Sequence, residues 1–292
     1  MSSPLRCPVC RRPLQPHDKG ARCESGHSFD RARQGYLNLL PVQKKRSANP
    51  GDNPEMVQAR NRFLDTGCYQ EPANALKQAA RELAHPSEKA VFIDAGCGEG
   101  YYTEQLAKAF PLADMTGFDI SKSAVQACCR RIKSIQWLVA SVADIPLADN
   151  SADIIVSVFS RIDWAEFGRV LSPGGHALIL GPGPDHLLEL RQQIYDEVRP
   201  YQEDKLLTQL PDEFELVRRE PVSDTIQLEG SQTIQDLLAM TPHYWHIKPA
   251  QREQLQQLEQ LTCRIDMRLY VVKYQPCDSA SSSNPSNNTV SQ

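Results

Sequence analysis

The stretch Val91-Phe-Ile-Asp-Ala-Gly-Cys-Gly-Glu-Gly100 decides the fold. A short apolar run reaches an acid at Asp94, glycines follow at 96, 98 and 100, and Tyr101 to Phe110 is amphipathic. Apolar run, glycine-rich turn and amphipathic segment read as strand, tight turn and helix. Glycine lets the backbone turn sharply and lets a ligand approach main-chain N–H groups. The stretch is therefore the first strand-turn-helix of a doubly wound α/β domain that takes a nucleotide-like ligand.

Spacing selects the ligand. A dinucleotide fingerprint runs G-x-G-x-x-G and offers a helix N-terminus to a pyrophosphate. Here the glycines run G-x-G-x-G, with Asp94 two residues ahead of them and Glu99 inside the loop. Two carboxylates oppose a pyrophosphate but suit a phosphate-free cofactor with a positive sulfonium, S-adenosyl-L-methionine. The chain downstream agrees. Met115-Thr-Gly-Phe-Asp-Ile-Ser121 is a second apolar strand ending at Asp119, where such folds hold ribose hydroxyls. Ser121 caps a helix to about Lys133. A third strand, Ile135 to Ala140, leads to Asp144, an acid placed to hold an adenine amino group or to cap a turn. A fourth runs from Ala152 to Phe159, and Leu171-Ser-Pro-Gly-Gly175 turns into a fifth, His176 to Gly181. In this order, the glycine loop, the two acids and Leu-Ser-Pro-Gly-Gly resemble the class I (Rossmann-like) methyltransferases.

Length allows one domain of over 200 residues with a real core plus a small module. No apolar run of 18 residues exists, so no membrane span is expected. The N-terminus has no apolar signal core, and a cytoplasmic protein is expected. Nine cysteines then suggest metal ligands or buried thiols more than disulfides. Charge is uneven: residues 1–62 carry 12 Lys+Arg against 5 Asp+Glu, net +7, and the remainder 20 against 31, net −11. A basic front on an acidic body suits a polyanionic partner or a merely solvated module.

That front, residues 1–40, carries Cys7-x2-Cys10-x12-Cys23-x3-His27. Two close pairs separated by a loop match a tetrahedral structural zinc site, with no ligand position left open for catalysis. His17 is a substitute ligand off the spacing. So small a segment cannot bury enough apolar surface alone, so the metal supplies its folding energy. Arg11, Arg12, Lys19, Arg22, Arg31 and Arg33 surround the ligands. Phe29 and Tyr36 either stack on unpaired RNA bases or form the module's core. A strand is expected over Gly35 to Leu40. Residues 41–69 read as a polar linker, with Lys44, Lys45 and Arg46, and a connecting helix from Pro54 to about Leu64. A catalytic domain fills 70–275, entered through a helix at Pro72 to Ala84. Beyond Gly183, a helix is expected over His186 to Glu197, strands at Phe214 to Arg218 and Asp224 to Leu228, and a last strand from Cys263 to Tyr274. Residues 276–292 are expected to be a disordered tail.

The four ligands are followed by Gly35-Tyr-Leu-Asn-Leu-Leu-Pro-Val-Gln43, Asp52-Asn-Pro-Glu-Met-Val-Gln-Ala-Arg60, Phe63-Leu-Asp-x-Gly-x-Tyr69, the glycine loop and Gly181-Pro-Gly-Pro-x-His-Leu187. Over roughly residues 5 to 274 this is similar to the RlmA family, the 23S rRNA (guanine-N1)-methyltransferases. The resemblance implies methylation of one guanine in a 23S rRNA stem-loop, a zinc module that helps hold the RNA, and a homodimer. It implies Tyr69, Gly98, Glu99 and His186 as cofactor contacts, beside the Asp94, Gly96, Asp119 and Asp144 read from the residues. Tyr69 and His186 also have a plain packing reading. The family's Met-Thr-Pro-x-x-Trp element recurs at Met240 to Trp245, as pocket wall or as packed turn. Val158-Phe-Ser-Arg-Ile-Asp-Trp164 departs from the family's aromatic-Ala-Pro-Cys pattern. Asp163, Asp185 and His186, near the ends of strands four and five, are candidates to take the guanine N1 proton. Two other functions remain: a ubiquinone-type small-molecule methyltransferase, which needs no zinc module, and a non-catalytic RNA-binding protein, which needs no intact glycine loop. Replacing Cys7 is expected to unfold the front module and to spare cofactor binding by the body.

Overall fold

Parallel strands of the main sheet end in turns that bring Asp94, Asp119 and Asp144 to one cleft. The computed structural model describes residues 4–45, 47, 50–202 and 205–276. Arg46, and the expected tail beyond Pro276, lie outside the described residues.

Three short antiparallel strands, β1 (Gln15–His17), β2 (Gly20–Arg22) and β3 (Ser28–Asp30), form a ribbon around the cysteines. The strand expected over 35–40 is β4, Leu37–Asn38, and it joins the main sheet as its edge. Helix α1 (Pro54–Asp65) starts where the Asn53 side chain accepts from Met56 N–H at 2.9 Å, with Pro54 in the first turn. It buries Met56, Val57, Ala59, Phe63 and Leu64, one face at helical spacing. Helix α2 (Gln70–Leu83) leads into the alternating part: β5 (Val91–Ala95), α3 (Tyr101–Ala109), β6 (Asp114–Asp119), α4 (Lys122–Arg131), β7 (Gln136–Val139), β8 (Ala152–Val158), α5 (Trp164–Val170) and β9 (Leu171–Pro182). Ser121 caps α4, as expected, accepting from Ala124 N–H at 3.3 Å.

The C-terminal part adds α6 (Leu188–Gln192), β10 (Phe214–Glu229), α7 (Ser231–Ala239), α8 (Pro249–Gln256) and β11 (Gln260–Tyr274). The eight-stranded order is β10-β11-β9-β8-β5-β6-β7-β4, with β11 antiparallel to both neighbours and β4 to β9 parallel. This is the class I methyltransferase sheet with one extra edge strand. Chain order reverses between β5 and β8, and ligands bind outside the carboxyl ends of the strands at such a switch.

Two expectations change. The strands expected at 214–218 and 224–228 are one 16-residue strand, β10. It is an edge strand, so Pro221 costs no central ladder bond, and an irregularity between Leu216 and Arg218 absorbs the register shift. The helix expected over 186–197 shrinks to α6. There the buried Arg191 donates to the carbonyls of Pro184 and His186, at 3.2 and 3.1 Å, and to that of Arg199, so the chain folds back instead of continuing.

Leu5, Leu14 and Ala21 of the ribbon pack in one cluster with Leu37, Ile93, Leu138 and Leu147 of the body. Tyr36 is buried in the body's other cluster, and Phe29 packs against the first, so both aromatics act as core. Leu37→Ala removes a fully buried side chain from this shared core. It should cost about 2–5 kcal/mol and lower the urea midpoint of the whole protein, monitored by far-UV circular dichroism.

Candidate active site and metal centre

The sulfur and nitrogen atoms of Cys7, Cys10, Cys23 and His27 all lie within 4.8 Å of one another. Cys7 Sγ is 3.6 Å and Cys23 Sγ 3.4 Å from His27 Nδ1, and Cys10 Sγ is 3.6 Å from Cys23 Sγ. A tetrahedron with Zn–S bonds of ~2.3 Å has S···S edges of ~3.8 Å, so three thiolates and one imidazole at these separations fit zinc. His17 stays on β1, beside Asp18, and is outside the cluster. The four ligands fill the coordination shell, which makes the metal structural.

The carboxyl ends of the strands open into a cleft of about 1060 Å3. Asp94, Gly96, Gly98, Glu99, Asp119, Asp144, Tyr69 and His186 all line it. The glycine loop is tight. Gly96 and Gly98 have φ of +82° and +55°, which glycine alone adopts freely, and a Cβ on Gly96 would collide with Ser160 Oγ beyond β8. Asp119 accepts from Gly98 N–H at 3.0 Å and Ser121 N–H at 2.7 Å, one bond to each oxygen. Each oxygen keeps a lone pair for a ribose hydroxyl. A smaller cleft of about 370 Å3, lined by Lys89, Asp153 and Pro173 among others, lies at the amino ends of β5 and β8, away from this chemistry.

Burial raises the acids of the loop. Asp94, held by Thr103 Oγ1 at 2.5 Å, is pushed up to about 7 by desolvation, reinforced by the charges of Asp119 and Glu99. Desolvation also raises Asp119 and Glu99. The counter-charge is Arg60 of α1, whose Nη1 is 2.5 Å from Asp52 and whose Nε is 4.0 Å from Glu99. Burial works against this guanidinium, but the two acids more than offset it and hold it charged. His186 is pushed down to about 3, mainly by burial, so its ring is neutral. Its Nδ1 accepts from Asp266 N–H at 3.4 Å, which leaves the proton on Nε2, 3.5 Å from the Tyr69 hydroxyl.

A family profile described as RlmA, N-terminal, matches residues 5–48, and one described as a methyltransferase domain matches residues 92–175. A 23S rRNA (guanine(748)-N(1))-methyltransferase of Streptomyces fradiae is 37% identical over 84% of this chain and 87% of its own. YxjB of Bacillus subtilis (strain 168), described as a putative 23S rRNA (guanine-N(1)-)-methyltransferase, is 30% identical over 92% of this chain and 96% of its own. The chain belongs to the RlmA family. By contrast, a ubiquinone/menaquinone C-methyltransferase of Syntrophotalea carbinolica matches 35% of this chain, at 32% identity.

The RlmA cleft sorts the residues singled out in the sequence. Asp163 does not line it; its carboxylate caps α5, accepting from Glu166 N–H at 3.3 Å. Asp185 faces outward to Arg264 at 3.1 Å and is also absent from the lining. His186 lines the cleft, but its free-base nitrogen is already occupied. Cys97 is a buried thiol, 3.8 Å from Cys128, with its pKa raised by burial. Met240, Thr241, Pro242, His243 and Trp245 form wall, so the Met-Thr-Pro-x-x-Trp element is part of the pocket. Sequence reasoning gave Arg60, Arg11 and Lys44 no place in the cleft, yet all three line it. The one signal available was indirect: three acids in so short a loop system need a cation.

Asp94 gives the site a pH dependence. Its folded-state pKa is raised above the unfolded value of about 4. Without ligand its contribution to stability is therefore present in acid and lost as pH rises from about 4 to about 7. With Asp94 read as a cofactor contact, the cationic cofactor favours the carboxylate and binding is expected to release this proton. S-Adenosylmethionine affinity should weaken about tenfold per pH unit well below pH 7 and level off above it. Calorimetric titration of wild type across this range should show the slope, and Asp94→Asn should remove it.

Proposed function

We propose that this protein transfers the methyl group of S-adenosylmethionine to N1 of one guanine in 23S rRNA, with its zinc ribbon helping to hold the RNA. The observation that carries the reading is the extent of the match. Relatives named for this reaction match 84% and 92% of the chain, whereas the quinone-directed one matches 35%. In this reading residues 1–40 hold RNA, 41–69 bring basic groups to the cleft, and 70–275 hold the cofactor. Tyr69, Asp94, Gly96, Gly98, Glu99, Asp119, Asp144 and His186 are the proposed cofactor contacts. A homodimer and a cytoplasmic location follow from the family resemblance and an rRNA substrate, and they belong to the same proposal. Among the described residues no helix is long and apolar enough to cross a membrane.

Bound S-adenosylmethionine supplies an activated sulfonium methyl, so the chain's task is chiefly to place guanine N1 in line with it. The cleft is at the upper end of small-molecule sites, which span roughly 300–1,000 Å3, and this leaves room for a nucleobase beside the cofactor. N1 lies on the Watson–Crick edge, so the base has to leave any pair it makes. Two aromatic side chains wait at the wall. Phe159 is 47% exposed, tilts 31° to the His186 ring at 5.3 Å, and has φ +49°, a strained setting for a non-glycine residue. Trp245 is 63% exposed. Exposed aromatics of this kind stack on unpaired bases.

None of the expected proton acceptors is set for the task, because Asp163 caps a helix, Asp185 faces Arg264 and His186 is occupied. The N1 proton then passes to water at the cleft mouth. Arg161, an exposed lining residue with no carboxylate partner among the described residues, opposes the negative charge left on the base.

The test is labelled S-adenosylmethionine with protein-free 23S rRNA, followed by nucleoside analysis. Label should appear as 1-methylguanosine. Label on a small-molecule extract instead would overturn the reading. Trp245→Ala should lower kcat/KM for RNA about 10- to 100-fold, the loss of one stacked base, while S-adenosylhomocysteine binds as in wild type.

A further inference from the structure

The ribbon that carries the metal ligands also builds one wall of the cofactor cleft. Arg11, the residue after the ligand Cys10, reaches across to Asp144, with Nη2 2.9 Å from Oδ1. Lys44 Nζ takes the other oxygen, Oδ2. Asp144 is only 8% exposed, whereas the Arg11 and Lys44 side chains reach it from the solvent side, so the pairs fix its direction more than they add stability. Arg11, Lys44 and Asp144 all line the cleft.

Arg11 sits in an enforced conformation. Its φ is +66°, in the left-handed region that costs a non-glycine residue roughly 1–2 kcal/mol. Such a setting persists only where its surroundings over-determine it. Here the surroundings are the turn that runs from Cys7 through Cys10 to Arg12. Arg11 N–H donates to Cys7 C=O at 2.9 Å, and Cys7 N–H donates to Arg12 C=O at 2.8 Å. Both bonds belong to a loop that the metal closes through Cys7 and Cys10.

The segment carrying Asp144 is also bound by backbone to the start of the ribbon. Arg6 N–H donates to Pro146 C=O at 2.9 Å, Ala148 N–H donates to Pro4 C=O at 3.0 Å, and Leu5 bridges Leu147. Arg6 adds charge contacts to Asp149 at 3.3 Å and to Glu166 at 4.0 Å. The loop after β7 is therefore held on one side by residues 4–6 and at its carboxylate by Arg11.

We propose that the metal centre is a positioning element for the cofactor as well as for the RNA. Metal binding fixes the turn that sets Arg11, and Arg11 with Lys44 orients the Asp144 carboxylate toward the adenine amino group. This rests on the reading of Asp144 as the adenine partner. A carboxylate has about four lone-pair sites, so one cation on each oxygen still leaves an acceptor site on each. Losing Arg11 leaves Asp144 Oδ1 with only the longer contact to Arg6 Nη2, at 4.0 Å, and so loosens the carboxylate. The expectation from sequence, that disrupting the metal site spares cofactor binding, is thereby reversed.

The experiment is calorimetric titration of the full chain with S-adenosylhomocysteine, with zinc content measured in parallel. Arg11→Ala, keeping its zinc and its wild-type circular dichroism, should raise Kd about tenfold or more, the usual cost of losing a group that orients a ligand. Wild type stripped with a chelator should lose at least as much affinity and recover it on zinc re-addition. Stripping Arg11→Ala should cost less than stripping wild type, because part of the linkage is already gone. An unchanged Kd in Arg11→Ala, with Asp144→Ala weakened, overturns the coupling and leaves the adenine assignment standing. An unchanged Kd in Asp144→Ala overturns the assignment, and the coupling with it. Because Arg11→Ala retains the metal, simple unfolding of a stripped ribbon cannot imitate the expected result.

Discussion

Negative charge buried at the strand ends is the constraint on which this structure depends. Asp52, Asp94, Glu99, Asp119 and Asp144 gather around one cleft. A cationic cofactor suits such a cluster, yet an uncompensated buried carboxylate is costly. Each is answered differently. Thr103 holds Asp94, backbone N–H groups hold Asp119, Arg60 serves Asp52 and Glu99, and Arg11 and Lys44 serve Asp144. The cations come from the first 60 residues and the carboxylates mostly from the body. Much of the charge asymmetry between the two parts is therefore an internal contact.

This changes what the basic front means. Arg6, Arg11, Arg12, Lys44, Arg60 and Arg62 all pair with carboxylates of the chain itself. Lys19, Arg22, Arg31, Arg33 and Lys45 have no carboxylate partner among the described residues. These five, on and beside the ribbon, remain available to phosphates. A polyanion is still the natural partner, but it meets roughly half of the charge that composition suggests.

The catalytic fold was legible because its signals are local. Glycine spacing, an acid at a strand tip, a serine cap and alternating apolar runs each act within about ten residues, and the strands they announce are where expected. The zinc ligands were legible for the same reason. What escaped was long-range. Arg60 meets Glu99 only because α1 packs beside the glycine loop, and nothing at position 60 marks it. The segments at 214–218 and 224–228 read as two strands because the tolerance of Pro221 between them depends on β10 lying at the sheet edge. Asp163 and Asp185 had the right chemistry and the right position along the chain, but the direction of a side chain at a strand end is set by its neighbours. Asp163 turned to cap a helix, and Asp185 turned to Arg264.

The ribbon is too small to stand alone, and the structure shows where its missing core is. Leu5, Leu14 and Ala21 bury themselves against strands of the body, and β4 completes the sheet edge beside β7. The module is therefore fixed in orientation relative to the cleft by its own packing. That rigidity matters for a reaction whose acceleration comes mostly from placement, where an error of about 1 Å can cost 100-fold. An RNA gripped by a freely hinged module would gain local concentration but no alignment. If the ribbon holds the RNA, as proposed, its packing on the sheet registers the target base against the strands that line the cleft. In the proposed reading, the turn that carries the metal ligands also sets Arg11 against Asp144, and RNA placement and cofactor placement then share one rigid frame.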